Sequence, residues 1–300
     1  MAPHVRLARM SLSTRSLGGA LLLVAAAGAA QAQRHELAAG NPQARLMGFY
    51  AAVMQFTPTG LPEAGSRLEV GGELTFIPSL SAREQRVGFG GLKDEDTNFC
   101  PVFPRLRVAR SFGAFAVEAG YVPPLRVCGV KAHMFAGAVA RRFTLAPAWG
   151  AALRASAHGG VLDGAITCSE GAVTDPADLT CFGGSPSDDK VRPLAFALDG
   201  IVTFAGWRSR RFEPYLMVGV RRERVGFDVN YVRLPSQSGG NYPALDDHQR
   251  LQATLTRVHG AVGASGDLSG RLRLGGELYY APGAVMTVRG RAAYGFGRGS

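Results

Sequence analysis

From residue 66 onward the chain alternates apolar and polar positions with period two, the side-chain repeat of a β-strand. In 271–280, Leu272, Leu274, Leu278 and Tyr280 face one way, and Arg271, Arg273, Glu277 and Tyr279 the other. In 67–77, Leu68, Val70, Leu74 and Phe76 oppose Arg67, Glu69, Glu73 and Thr75. The same rhythm runs through Trp149–Ala157, Leu194–Phe204 and Val288–Phe296. Reading back from the C-terminus, strands are expected near 284–297, 269–281, 248–265, 211–231, 191–207, 147–167, 126–143, 113–122, 104–111 and 66–78. Two segments are less defined. Residues 44–56 are apolar on both parities and fit a strand or a helix, and 84–91 is a weak strand. Counting both gives an all-β architecture of about twelve strands; the alternative is ten strands with 44–56 as an N-terminal helix or plug. In 211–231 the apolar parity flips from Phe212, Leu216, Val218 and Val220 to Val225, Phe227, Val229 and Tyr231, which predicts a bulge or an extension beyond an apolar slab.

Alternating strands build either a soluble sandwich or barrel, or a transmembrane barrel with the apolar face outward. Three features favour the membrane. Several strands exceed the five or six residues usual in globular sheets. Short connections alternate with long polar ones at 167–190 and 231–247, and the last strand carries aromatics at Tyr294 and Phe296. Composition agrees. Glycine is 40 of 300 residues, which disfavours a helix bundle, while 46% hydrophobic and 19% charged residues exclude disorder. Mean hydropathy is +0.04. Beyond the N-terminus no apolar run suffices for a helical span.

Residues 1–32 have the three parts of a secretory signal: a basic start (Arg6, Arg9, Arg15), an apolar stretch from Leu17 to Ala27, and a small-x-small site at Ala30-Gln31-Ala32. The expected division is therefore a cleaved leader over 1–32 and a barrel over 33–300. Loss of the leader's three arginines lowers the net charge from +10 to +7. The remaining basic residues are dispersed, with lysine confined to Lys93, Lys131 and Lys190, so no nucleic-acid surface is indicated.

On these residues the chain resembles the outer-membrane β-barrel proteins of Gram-negative bacteria, over nearly all of 44–297, as a class rather than a specific family. The class usually ends on an aromatic, whereas here four residues follow Phe296. The resemblance implies an outer-membrane location, contact with outer-membrane lipid and lipopolysaccharide, and folding by the barrel-assembly machinery. It carries over no catalytic or ligand-binding residue.

Four cysteines in an exported chain suggest two disulfides. Cys168 and Cys181 fall in one long loop. Cys100 precedes the strand at 104 and Cys128 begins the strand at 126, and with twelve strands all four cysteines lie on the extracellular side, so the expected bonds are Cys100–Cys128 and Cys168–Cys181. No spacing among them suggests a metal cluster. With the charged faces inward, the lumen should contain Arg105, Arg107, Arg154, Arg271, Arg273, Arg289 and Arg291, with Glu69, Glu73, Glu118, Asp199 and Glu277. They form either an interlocked ionic network or an arginine-lined passage for anions, and a ten- or twelve-strand barrel favours the network. For an enzyme the candidates are thin: His158 shares a face with Ser156, while His133 and His259 lie in other strands, and Gly-x-Ser-x-Gly does not occur. The acidic runs at 93–96 and 187–190 read as solvated loops, and no motif implies a cofactor. The expected function is a structural barrel or a passive channel for small or hydrophobic solutes. Surface-loop adhesion is the main alternative, and a lipid-modifying enzyme a weaker one.

Overall fold

A computed structural model describes residues 35–60, 67–88, 91, 93–95, 97–98, 100–204, 212–233 and 245–296. The expected leader at 1–32, the turn-rich stretch 234–241 and the residues after Phe296 lie outside the described residues.

The period-two segments become ten antiparallel strands: β1 (Leu68–Phe76), β2 (Val102–Phe112), β3 (Phe115–Val122), β4 (Val130–Ala146), β5 (Trp149–Gly164), β6 (Asp189–Phe204), β7 (Phe212–Asp228), β8 (Arg250–Ser269), β9 (Leu272–Ala281) and β10 (Val285–Phe296). Each pairs with the next, and β10 pairs with β1 from Arg289↔Thr75 to Phe296↔Leu68, closing the ring. Closure removes the free edges that an open sheet would expose to hydrocarbon. Of the two strand counts the sequence allowed, the structure takes ten. Residues 42–53 are helical (α1, Pro42–Val53). Residues 82–94 form a single helical turn (α2, Ala82–Gln85) and a small hairpin within the β1–β2 connection.

The outside of the wall is apolar. Leu74, Leu106, Phe135, Leu153, Phe196, Leu198, Leu216, Val218, Val262 and Val288 are exposed, while their neighbours on the other parity are buried. The tight turns between β2 and β3, β4 and β5, and β8 and β9 lie at one end, with the close of β10. Around that end runs a girdle of exposed aromatics including Phe112, Phe115, Trp149, Phe212, Tyr294 and Phe296. The strand ends joined by the long connections 77–101, 165–188 and 229–249 are at the other end, which short-turn and long-loop asymmetry makes the extracellular one.

Strands β4 to β8 run 16 to 20 residues, well past β9, β10, β1 and β3. The parity flip in β7 is this extension and not a bulge, since its register with β6 and β8 is unbroken. Below the flip Leu216, Val218 and Val220 face outward. Above it the outward positions are Arg222 and Arg224, and the buried Val225 packs inward with Leu251, Ala253 and Leu255.

What Val225 packs against is the N-terminal segment, which fills the barrel. Residues His35–Leu37 pair in parallel with Leu251–Ala253 at the extracellular end of β8. Asn41 then caps α1, its side chain accepting from Gln43 N (2.8 Å), and Pro42 occupies the first turn, where its missing N–H is not needed. The helix is apolar on most sides because the wall surrounds it: Met47 and Ala51 join the β6–β8 cluster, and Phe49, Ala52 and Val53 pack with Ile201, Tyr215, Met217 and Tyr279. Gly48 permits this approach, since a Cβ there would lie 2.6 Å from Arg257 Nη2 and 2.7 Å from Leu255 Cδ1. Beyond α1 the chain continues to Thr59 and Gly60, beside Gly275 and Ser265 near the periplasmic turns.

Candidate functional site

The inward positions of the wall carry the charges expected from parity, and most of them form one connected cluster around residues 52–59. Arg105 binds Glu73 (2.9 Å), Arg107 bridges Glu73 and Glu118, and Arg154 bridges Glu118 (2.9 Å) and Asp199 (3.2 Å). His259 Nε2 meets the other oxygen of Asp199 at 2.8 Å. On the far side Arg289 lies 3.5 Å from Glu277, Tyr215 Oη donates to Glu277 (2.5 Å), and Arg291 binds Glu69 (2.8 Å). Arg273 sits lower, near Glu213 (3.7 Å) and donating to Ser265 Oγ (3.0 Å). Arg105, Arg107, Glu118, Arg154, Asp199, Arg273, Glu277, Arg289 and Arg291 are all buried, as are Glu69 and Glu73.

Arg271 is the exception and a correction to the expected lumen set. It shares parity with Arg273 but falls in the β8–β9 turn, where the wall has ended; it is exposed and donates to Tyr294 Oη (3.1 Å).

The arginines also hold the main chain of the segment inside the barrel. Arg289 donates to the carbonyls of Ala52 (3.0 Å) and Val53 (3.3 Å), and Arg105 to Met54 O (2.5 Å). These carbonyls lie at the C-terminal end of α1, where its dipole is negative; that of Ala52 also accepts from Gln55 N (3.3 Å). The helix has no basic residue in its own last turn, so strands from both ends of the chain supply the cations. Below it Arg154 donates to Phe56 O (2.9 Å), and Arg107 to Thr57 O (2.8 Å) and Thr59 Oγ1 (2.8 Å). Arg289 also donates to Thr57 Oγ1 (2.7 Å), and that hydroxyl in turn donates to Glu277. The Phe56 ring lies between the guanidiniums of Arg105, Arg107 and Arg154, 4.3 to 5.3 Å from its centroid.

A second group of buried charges was not singled out in the sequence. Arg221 contacts Glu223 (3.3 Å) and donates to Tyr279 Oη (2.9 Å), and Arg257 lies 3.8 Å from Glu223. Their parity along β7 matches that of Asp199 along the paired β6, which is the signal that could have found them.

Both disulfides are formed, Cys100–Cys128 and Cys168–Cys181. The second is buried beside Tyr231, whose hydroxyl donates to Thr180 O (3.1 Å). The acidic run 187–190 is organised internally: buried Asp189 accepts from Thr167 N (2.6 Å), Ser187 Oγ (2.7 Å) and Asn230 N (3.0 Å). Among the described residues, Ser156 Oγ and both ring nitrogens of His158 have no hydrogen-bond partner, in each other or in the wall. His133 lies outside the lumen set, in ring contact with Tyr121 and Phe135.

No protein-family model matches the chain, and no curated protein matches it. Among solved structures it is similar to Ail, the attachment invasion locus protein of Yersinia pestis (10% identity over 78% of this chain and all of that one, TM-score 0.30). It is also similar to the KdgM porin in complex with disordered oligogalacturonate (8%, 78% and 100%, TM-score 0.27). A third is the translocator domain of the autotransporter NalP from Neisseria meningitidis (10%, 86% and 96%, TM-score 0.34). The class rests on the chain's own geometry: a closed antiparallel ring, apolar toward its surroundings and charged within, with an aromatic girdle and an extracellular loop end. That geometry is an outer-membrane β-barrel.

Proposed function

We propose that the protein is a structural outer-membrane barrel whose lumen is closed to ions and polar solutes by its own N-terminal segment. The observation that supports this is the set of backbone carbonyls from Ala52 to Thr57 held by arginines of β2, β5 and β10. A water-filled passage would leave those carbonyls and guanidiniums to solvent, whereas here each guanidinium meets a carboxylate, a carbonyl or an aromatic face. The arginines that could have lined an anion path are spent on internal bonds.

The test is planar-bilayer conductance. The intact protein is expected to give no stepwise current, and a variant lacking residues 35–60, checked for folding by heat-modifiable gel mobility, is expected to conduct. Regular channel steps from the intact protein would overturn the reading.

A second reading, recognition of a partner by the extracellular loops, is favoured by the order of the 165–188 loop, which its disulfide, Asp189 and Tyr231 fix against the wall. Adhesion of whole cells that is lost with Cys168→Ser while the barrel still folds would support it.

A further inference from the structure

Beside β3 the wall has a notch. That strand ends at Val122, followed by Pro123 and Pro124, and its pairing with β2 stops at Leu106↔Tyr121. Residues Val102 to Arg105 of β2 therefore pair with β1 alone among the described residues. Pro101 O accepts from Ile77 N (2.7 Å) and Ser111 N donates to Arg67 O (3.1 Å), so odd-numbered residues of β2 turn their main-chain groups toward β1. Pro104, an even position, turns the other way, and its missing N–H falls in the notch. A proline there removes a donor that hydrocarbon could not satisfy.

Behind the notch is a cavity of about 130 Å³, a size that holds a benzene-sized apolar molecule. Phe103, Val122, Ala132 and Leu162 of the wall and Val53 and Met54 of the plug are among its lining. Its few polar lining groups are already engaged: Tyr50 Oη donates to Thr97 O (2.9 Å), and Cys100 is in a disulfide. On the lipid-facing side a groove bounded by Leu74, Leu106, Gly290 and Ala292 shares Pro104, Pro123 and Leu125 with the cavity. Tyr121, which pairs with Leu106 at the edge of the groove, is in tilted ring contact with Phe135, centroids 5.0 Å apart.

We propose that this notch admits an acyl chain of a surrounding membrane lipid, which lies in the outer groove and inserts its end into the cavity between β2, β4 and α1. The groove is continuous with the surface that meets lipid, and among the described residues the cavity offers no free polar group to a hydrophilic ligand. The chain end replaces contacts that an empty apolar space would forfeit.

The experiment places one tryptophan in the cavity. In a background with both native tryptophans replaced (Trp149→Phe, Trp207→Phe), Phe103→Trp is reconstituted in phosphatidylcholine vesicles with brominated acyl chains, and indole quenching is read. Leu106→Trp, facing lipid, gives the upper reference, and Phe56→Trp, inside the arginine cluster, the lower one. Quenching at 103 of at least half the Leu106→Trp value is expected, falling at least twofold when Ala132→Phe fills the cavity. Quenching at 103 no greater than at 56, or quenching unchanged by Ala132→Phe, would overturn the proposal. If Phe103→Trp fails the gel-mobility test for folding, Tyr50→Trp, at the inner end of the cavity, provides the same readout against the same references.

Discussion

Replacing Arg154 by methionine removes one charge from the middle of the lumen cluster while keeping much of its volume. The side chain is fully buried and donates to Glu118 (2.9 Å), Asp199 (3.2 Å) and Phe56 O (2.9 Å). After the change Asp199 keeps His259, and Glu118 keeps Arg107. Both carboxylates remain buried with about half their compensation, and Phe56 O loses its donor. Breaking a buried pair by removing one partner costs about 3–5 kcal/mol, most of it the stranded charge. At an m-value of about 2 kcal/mol/M this lowers the urea midpoint of the vesicle-inserted barrel by about 1.5–2.5 M. Arg192→Met is the control: its bond to Asp228 (3.0 Å) is exposed, and its loss costs at most about 1 kcal/mol. The double variant Arg154→Met, Glu118→Gln should recover part of the loss, because it neutralises a carboxylate stranded by the first change. Equal midpoints for Arg154→Met and Arg192→Met, with fully folded protein in both, would refute the claim that the cluster is a tightly coupled seal.

Gly48→Leu should cost about 1–3 kcal/mol by overpacking against Leu255 and Arg257, seen as a lower temperature for the heat-modified gel shift, whereas Gly290→Ala, where a Cβ meets open space, should leave it unchanged. Val218→Arg, on the lipid face of β7, should destabilise the inserted barrel by about 2–4 kcal/mol in equilibrium unfolding; no effect would contradict the assignment of that face to hydrocarbon. Cys168→Ser removes a bond closing a short loop, about 3 kcal/mol of local order on the chain-entropy account. Limited proteolysis should then cut within 169–187 and leave the strands intact.

The strands were legible because a wall with lipid on one side and charge on the other forces an unbroken alternation, as in Leu272 to Tyr280. The disulfides followed from that, since the strand count put all four cysteines at one end. The plug was only half legible. A helix surrounded by wall has no polar face, so 44–56 shows no helical stripe to distinguish it from a strand. The contribution of residues 52–58 to the cluster is largely main-chain carbonyls, which any residue possesses, and so leaves no mark in the sequence. Arg221 and Glu223 were obscured by the parity flip in β7, which reflects packing against α1 above the apolar belt. Arg271 was misplaced because parity extends past the point where a strand turns.

Arg289, in the last strand, bonds to Ala52 across 237 positions of sequence. The first part of the barrel unit to be made and the last are thus partners at its axis, within a ring that is sealed only when β10 meets β1. The order of assembly is constrained accordingly: a wall that closed early would have to reopen or be entered end-on, so ring closure and seating of the axial segment belong to one late event. Contacts of such long separation make that event slow, and the exposed arginines of the unfinished sheet would wait in the periplasm, paired with water, until it occurs.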